Sequence, residues 1–235
     1  MIGDSGRAPV DLDSRSGVEA LVAVVDRLRS PGGCPWDADQ THESLARFAI
    51  EEAYELADAI AGGERGALVD ELGDVLFQVA FHARLGQEHA EPFDIDDVAD
   101  GIVAKLRRRH PHVFADVDAT TKAAIEANWD AIKAAEHPER TSPLDGIPAS
   151  FPPLERAAKI ASRYHRAGRL DEVRAALDAV RTGNASSAAE TAETDIGDRL
   201  LSVVTEAVED GVDPGTALVE AVSRLESTLR RTGMA

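Results

Sequence analysis

The chain has 235 residues, and 43% of them are apolar. This size and composition predict a folded protein with one sizeable core or two smaller ones. Its 43 acidic and 25 basic residues give a formal net charge of -18. That charge disfavours nucleic acid and anionic membranes as partners, because both are polyanions that the chain would repel. A phosphate-bearing ligand would therefore need a bound cation.

The sequence shows no pattern typical of a membrane anchor or an export signal. Its longest uninterrupted apolar run, Ala20 to Val25, is too short to span a bilayer, and the polar residues 1–17 lack the apolar core of a signal peptide. Cys34 is the only cysteine, which excludes an intrachain disulfide and a multi-cysteine zinc site. We therefore expect a cytoplasmic protein.

Apolar residues recur at spacings of three and four along nearly the whole chain, and no stretch alternates convincingly with period two. This periodicity predicts an all-α fold. Glycine and proline, such as Gly63 and Pro92, mark the ends of the helices. The predicted helices cover residues 18–29, 42–61, 66–88, 95–110, 120–136, 153–166, 171–181, 195–209 and 214–231.

Acidic residues on the second and third predicted helices are the candidate functional groups. Glu51, Glu52 and Glu55 form one run, and Glu71 and Asp74 form another. In so acidic a chain, such pairs are common on solvated helix faces. The helix 42–61 argues against that interpretation here. Its apolar residues recur every three or four positions, and Glu52 and Glu55 occupy positions in the same series, so they lie on or beside the apolar face. These apolar positions are Leu45, Phe48, Leu56 and Ala59.

An antiparallel hairpin about Gly63 would bring the acids together. Glu55 and Glu71 lie equally far from Gly63 along the chain, and Glu52 and Asp74 form a second equidistant pair one helical turn further out. The two layers would be separated by about 4.5 Å, a distance that one or two divalent ions can bridge.

Four facing carboxylates raise one another's pKa values, and burying them unpaired is unfavourable. A positive ion is therefore expected between Glu52, Glu55, Glu71 and Asp74. Because the donors are all oxygen atoms, hard Mg²⁺ is favoured, with Mn²⁺ as a substitute. Mg²⁺ keeps waters and binds substrate phosphates, which predicts phosphate chemistry.

These acidic motifs resemble the signature of MazG-type nucleoside triphosphate pyrophosphohydrolases. Three other segments strengthen the resemblance, and together the motifs cover about residues 18–136: Gly33 to Asp37 with Gln40 to Leu45, Lys105 to Phe114, and Asn128 to Lys133. The resemblance implies an α-helical bundle that is active as a dimer or higher homo-oligomer. It also implies Mg²⁺ dependence and hydrolysis of an NTP or dNTP between the α- and β-phosphates.

The residues fit this chemistry. Glu51, or a partly engaged ligand such as Glu52, would take a proton from the attacking water, although Glu51 could equally be a solvated neighbour. Lys105 and Arg109, one helical turn apart, would clamp the triphosphate and stabilise the departing pyrophosphate. The neighbouring Arg107 and Arg108 are better interpreted as part of a solvated face.

The nucleotide itself is expected to contact two aromatic segments. Trp129 and Lys133 share a helix face, and the resemblance implies that Trp129 stacks on the base while Lys133 contacts a phosphate, with Asn128 in the same motif. Trp129 could instead belong to the core. Trp36 and Asp37 lie in a Gly-Pro loop and would shape the pocket.

The sequence leaves a choice between two classes of function. The first is the pyrophosphohydrolase, with a house-cleaning role on the nucleotide pool. The second is a catalytically silent, metal-dependent helical scaffold or nucleotide sensor. The complete acidic set and the cationic pairs favour the enzyme.

The predicted organisation has four parts: a flexible tail over 1–17, a catalytic MazG-like domain over 18–136, a helical connector and flexible linker over 137–192, and a smaller helical unit over 193–235. In the last unit, Asp195 to Asp198 echoes Glu71 to Asp74, which suggests a degenerate second copy. The echo could also be chance in an acidic tail. Both interpretations predict packing or oligomer contacts there, because no facing carboxylates are present to hold a metal.

Overall fold

The computed structural model describes residues 17–115, 117, 120–184 and 192–232. Every element in these ranges is an α-helix, which confirms the all-α class, and none of them is long and apolar enough to cross a membrane. The predicted tail falls outside the described residues except for Gly17. The helices are α1 (Gly17–Arg29), α2 (Pro35–Ala38), α3 (His42–Gly62), α4 (Arg65–Gly86), α5 (Ile95–Arg109), α6 (Pro111–Phe114), α7 (Lys122–Glu136), α8 (Pro153–Arg166), α9 (Leu170–Asn184), α10 (Ala192–Glu209) and α11 (Pro214–Thr232).

The chain forms two compact units, one up to Trp129 and one from Asp130 onward, and the division falls within α7. In the first unit α4 packs against α1, α3 and α5, and in the second unit α8, α9 and α10 pack against one another, with α11 on α8 and α10. The four parts expected from the sequence stay predictions.

The α3–α4 hairpin forms because both ends of α3 carry clear local signals. Thr41 caps its first turn, since the Thr41 hydroxyl accepts the Ser44 N–H while the Ser44 hydroxyl accepts the Thr41 N–H. At the other end Gly63 adopts φ 72°, a left-handed conformation that glycine takes without steric penalty. Only Glu64 then separates it from α4, so the two long helices must fold back on each other.

The core of the first unit lies where α1, α3 and α4 meet. Val25, Leu45 and Phe81 are almost completely buried, and Leu85 extends the cluster. Phe77 packs edge-on against Phe81, with ring centroids 5.6 Å apart. Burial of a side chain of this size contributes about 1.5–3 kcal/mol. The core therefore fixes α3 against α4 at the open end of the hairpin.

An ion-pair network ties α1 to the end of α4. Arg29 pairs with Glu88 at 2.9 Å, and Arg84 pairs with Glu88 at 2.7 Å and with Asp26 at 2.8 Å. The hydrogen bonds and positive charges of Arg29 and Arg84 hold the pKa of the Glu88 carboxyl below its usual range. The network fixes the place where the chain leaves α1 for the short helix α2.

The second unit has its own small core. Ala161 of α8, Leu170 of α9 and Val208 of α10 are buried together, and Val173 packs against them. Thr205, also buried, satisfies its hydroxyl by donating to the Leu201 carbonyl at 2.8 Å. The unit is therefore held by contacts among three successive helices.

The structure differs from the predicted helices at several ends. The short helices α2 and α6 had no counterpart in the prediction, because one helical turn is too short to show a period. Helix α4 ends at Gly86, since the Phe93 N–H donates to the Gly86 carbonyl as the chain turns. Helix α9 runs through Asn184 into the predicted linker, and the Thr182 hydroxyl donates to Asp178 there. Residues 185–191 of that linker lie outside the described residues.

Candidate active site

Three carboxylates meet on the inner side of the hairpin. Glu52 and Glu55 project from α3 and Glu71 projects from α4, and each offers an oxygen atom within 4.8 Å of the others. Their meeting requires the antiparallel pairing of α3 and α4, which the contacts between the two helices provide. The cluster is therefore a direct product of the short connection at Gly63.

The other two candidate acids, Asp74 and Glu51, lie close enough to this cluster for their negative charges to affect it. The pKa of Glu52 is raised, first because the side chain is partly removed from water, and then by the negative charges of Asp74, Glu55, Glu71 and Glu51. Asp74 and Glu51 thus lie close enough to act on Glu52, although they fall outside the 4.8 Å group.

Glu71 shows the same effect from the other helix. Partial burial raises the pKa of its carboxyl, and the negative charges of Glu55, Asp74 and Asp70 raise this pKa further. Its Oε2 atom is buried and has no hydrogen-bond partner. A buried polar atom without a partner is unfavourable, and an anionic one more so. A cation at this point would satisfy Glu71 and relieve the mutual repulsion, so the residues present fit a divalent ion.

The predicted phosphate clamp lies on α5. Lys105 is exposed, and the Arg109 guanidinium lies 5.5 Å from the centre of the Trp129 ring. His110 meets the same ring edge-on, with centroids 4.8 Å apart. Trp129 is half-buried and is thus positioned by two side chains from the end of α5.

The two other members of the α7 motif are also half-buried. Asn128 directly precedes Trp129 in the first unit, whereas Lys133 follows one turn later on the same helix and belongs to the second unit. A single helix therefore carries both, as their spacing predicts.

Trp36 and Asp37 have different environments although they are neighbours in α2. Trp36 is 52% exposed and packs edge-on against Phe48 of α3, at 5.9 Å between ring centroids. Phe48 lies one turn before Glu52, so the exposed indole is close to the acidic cluster along α3. Asp37 is only 7% exposed, and its environment is that of a buried structural residue.

The segment that holds Trp36 is anchored by Arg29. Its Nη1 donates to the carbonyl oxygens of Asp37 at 2.7 Å and Gln40 at 3.0 Å. Gly33 allows the close approach, because a Cβ atom there would lie 2.2 Å from the Leu28 carbonyl oxygen. Neither Arg29 nor this contact was identified from the sequence, since both depend on how the chain returns to α1.

One further polar contact and one buried polar side chain were not identified from the sequence. His42 of α3 and His82 of α4 share a hydrogen bond between their Nδ1 atoms at 2.8 Å, and their rings are stacked. Gln78, one turn after Asp74, is 7% exposed, and its Oε1 has no partner. The signal for Gln78 was present in the sequence as a lone amide in the apolar pattern of α4.

The comparisons agree with the geometry. Residues 40–114 match the model of the MazG nucleotide pyrophosphohydrolase domain. A nucleoside triphosphate pyrophosphohydrolase of Escherichia coli strain K12 is 38% identical over 226 residues, which cover 91% of this chain and 86% of the relative. The chain belongs to the MazG family. A Thermotoga maritima protein named nucleoside triphosphate pyrophosphohydrolase/pyrophosphatase MazG is 35% identical, and the match covers 92% of this chain and 88% of that protein. An uncharacterized 26.1 kDa protein of Streptomyces cacaoi is 48% identical, and the match covers 89% of this chain and 80% of that protein.

Membership in the MazG family connects the acidic cluster with metal dependence. MazG proteins are metal-dependent, and the matched segment contains Glu52, Glu55, Glu71 and Asp74 as well as the basic end of α5. The relatives also match well beyond this segment, so the similarity extends over both compact units.

Proposed function

We propose that this MazG-family chain hydrolyses nucleoside triphosphates, with ribose or deoxyribose, to the monophosphate and pyrophosphate. The observation that carries the proposal is the meeting of Glu52, Glu55 and Glu71 on the hairpin, where Glu71 Oε2 lacks a hydrogen-bond partner. The names of relatives that cover most of the chain support the same reaction.

The metal in this proposal is Mg²⁺, with Mn²⁺ as a substitute. Glu52, Glu55, Glu71 and Asp74 would hold it, because a site made only of carboxylate oxygens favours hard divalent cations. Bound there, Mg²⁺ neutralises charge on phosphate oxygens and makes water more acidic. The raised pKa values of Glu52 and Glu71 fit a site that becomes fully ionised when a cation is present.

The protein's own groups would handle the proton and the leaving group. As water adds to the α-phosphorus, the bond to the bridging oxygen breaks and pyrophosphate leaves with its electron pair. Glu51 accepts the proton of the water, or Glu52 does so where it is not fully engaged. Lys105 and Arg109 stabilise the charge that develops on the departing pyrophosphate.

The rest of the nucleotide would be held by aromatic and polar side chains. Trp129, already in contact with Arg109, offers a ring face beside Asn128, and Lys133 adds a positive charge one turn later. The exposed Trp36 lies on the α3 side of the cluster. The adjacent Asp37 is buried, so its part in this site is to shape the short helix α2 that carries Trp36.

Product analysis tests the reaction. The purified protein is incubated with Mg²⁺ and a panel of NTPs, dNTPs and oxidised dNTPs, and the phosphate products are identified. We expect monophosphate and pyrophosphate, with no turnover in excess chelator. Release of orthophosphate with a diphosphate would contradict the proposal. A strong preference for oxidised dNTPs would support the proposed house-cleaning role, and equal rates on ordinary nucleotides would contradict it.

The proposed active form is a dimer or higher homo-oligomer. Large apolar side chains are exposed along the helices of the first unit, including Ile50 and Tyr54 of α3, both 59% exposed, and Leu72 of α4, 50% exposed. Packing of subunits would cover this surface. Light scattering at micromolar concentration should give at least twice the chain mass, and Ile50→Glu should shift it toward the monomer. A fully active monomer would contradict this assembly.

A further inference from the structure

The second unit carries a basic helix in an otherwise acidic chain. Helix α8 contains four lysine or arginine residues and a single acidic residue, Glu155, whereas the whole chain has a formal net charge of -18. Steps of three, four and three residues along a helix place side chains on one face. These steps connect the residues that form the basic face of α8: Arg156, Lys159, Arg163 and Arg166.

The opposite face of α8 is fixed in the core of the second unit. Ala161 is 2% exposed and packs with Leu170 of α9 and Val208 of α10. At 3.6 residues per turn, Ala161 lies about 140° around the helix from Arg156. Because the apolar face is already buried, the basic face is turned toward solvent, and α8 has no apolar surface left to insert into a membrane.

Arg163 anchors the loop that precedes α8. Its Nη1 donates to the carbonyl oxygens of Pro143 at 3.0 Å and of Asp145, and its Nη2 donates to the Gly146 carbonyl. Gly146 has φ 70°, and a Cβ atom there would lie 2.8 Å from the Cζ atom of Arg140. The Arg140 guanidinium therefore lies directly against the turn that Arg163 holds.

The guanidinium groups of this cluster repel one another. The pKa of the Arg163 guanidinium is lowered, first by its partial removal from water and then by the positive charges of Arg140 and Arg166. Asp145 acts in the opposite direction, but its Oδ2 atom already accepts two backbone N–H groups of the loop. An anion near these groups would relieve the repulsion.

The carboxylates at the rim of the cluster compensate these charges only weakly. Arg166 lies 3.8 Å from Asp130, and Arg140 lies 3.9 Å from Glu139, with all four side chains at least 36% exposed. Such loose, solvated pairs contribute little free energy. Among the described residues, no ion-pair partner is found for Lys159. The basic face therefore has unused capacity to bind an anion.

A small anion fits this face better than a macromolecule does. Exposed charges act over only about 8–10 Å at physiological salt, so a small ion responds mainly to the basic face itself. A nucleic acid, an acidic protein or an anionic membrane would extend over a chain with a large excess of negative charge and would be repelled. Guanidinium groups bind phosphate oxygens through paired N–H donors, and linked phosphates can engage several such groups at once.

We infer that the basic face of α8, together with Arg140, forms a metal-independent binding site for a short polyphosphate anion. This chemical class includes inorganic pyrophosphate, inorganic triphosphate and the triphosphate group of a nucleotide. The inference goes beyond the proposed function, because it assigns a second site in a unit that does not contain the carboxylate hairpin. At α8 the side chains themselves supply the positive charge that Mg²⁺ would supply at the hairpin.

Calorimetric titration of the full chain in excess chelator tests this inference. Without a metal the hairpin carboxylates repel anions, so binding reports on the second unit. Inorganic triphosphate is the probe, and pyrophosphate and ATP are compared with it at matched ionic strength. We expect one triphosphate to bind per chain. The double variant Lys159→Gln/Arg166→Gln should weaken this binding at least about tenfold, because both lost cations would contact phosphate directly.

Matched variants show whether the effect is local. Arg181→Gln/Arg199→Gln removes the same charge from exposed arginines of α9 and α10 that pair within their own helices, and it should change the affinity less than about twofold. Glu71→Gln should keep the binding, because the hairpin takes no part in it. Lys159→Gln alone, at an exposed side chain, should still weaken binding measurably and replaces the double variant if that protein does not fold.

The comparison of ligands identifies the source of the phosphates. ATP binding at least as tight as that of triphosphate would support a nucleotide ligand, and tighter binding of inorganic triphosphate would support free polyphosphate. No binding by the wild type, equal losses in both double variants, or a loss in Glu71→Gln would overturn the inference. Tighter binding of a single-stranded oligonucleotide than of triphosphate would overturn it in favour of nucleic acid. Because the readout is binding without metal, the result does not depend on the proposed hydrolysis.

Discussion

Replacing Glu52 by glutamine removes one charge from the hairpin and keeps the size of the side chain. Glu52 has two carboxylate neighbours, Glu55 and Glu71, with oxygen atoms within 4.8 Å. Two unit charges at that distance in water repel by about 0.9 kcal/mol, and screening at physiological salt lowers this to about 0.5 kcal/mol. Summed over both neighbours, the metal-free variant should be more stable than the wild type by about 1 kcal/mol.

Divalent ions should reverse this order. Mg²⁺ at about 100 times its dissociation constant stabilises a protein by about 2.7 kcal/mol, and the wild type should gain this while Glu52→Gln gains much less. Thermal melting with chelator and with Mg²⁺ measures both effects, and 1 kcal/mol corresponds to about 2–4 °C in a chain of this size. The matched control is Asp100→Asn, which removes an exposed acid of α5 outside the cluster and should leave the Mg²⁺ shift unchanged.

The same experiment has a defined pH dependence. Because the pKa of Glu52 is raised in the folded chain, its contribution to stability is fully present below the ordinary glutamate pKa and is lost as the pH rises through the raised value. The metal-free wild type should therefore lose stability relative to Glu52→Gln over that interval. A metal-free variant less stable than the wild type, or one with the full Mg²⁺ shift, would refute the reasoning.

Three further predictions follow from the same structure. Asp74→Ala should lower kcat by at least about a hundredfold while circular dichroism shows an intact helical fold, because the acid acts on the cluster without belonging to the core. Gly33→Ala should destabilise the first unit by about 1–3 kcal/mol in denaturant unfolding, since a Cβ atom would meet the Leu28 carbonyl oxygen at 2.2 Å; a neutral effect would contradict the close packing. Asp198→Ala on α10 should leave turnover unchanged, whereas a loss as complete as that of Asp74→Ala would make the second unit catalytic.

The parts of the fold that depend on local chain geometry could be predicted from the sequence. The register of the hairpin follows from Gly63 and the helical period, which is why Glu55 was correctly expected opposite Glu71. The start of α3 was expected at residue 42, where the structure places it, and Thr41 caps the helix there. These signals depend on neighbours within a few residues, so a single sequence contains them.

The parts that depend on distant contacts could not be predicted. Sequence patterns alone do not reveal that His42 meets His82, because their pairing depends on the core that fixes the open end of the hairpin. Gln78 could be read only as an interruption in an apolar stripe until its burial was known. The burial of Asp37 and the anchoring of its segment by Arg29 likewise depend on how the chain returns to α1, so the sequence did not indicate them.

The short turn at Gly63 also has a consequence for the order of folding. All the carboxylates of the cluster come from two consecutive helices, so closing the loop between them loses little chain entropy. The approach of like charges opposes this early step, and a divalent ion or a proton relieves that repulsion. Stopped-flow refolding of the chain should therefore become faster with Mg²⁺ and at mildly acidic pH, and this acceleration should be much weaker in the Glu52→Gln variant. In this hairpin the proposed metal ligands would therefore also control how fast α3 and α4 come together during folding.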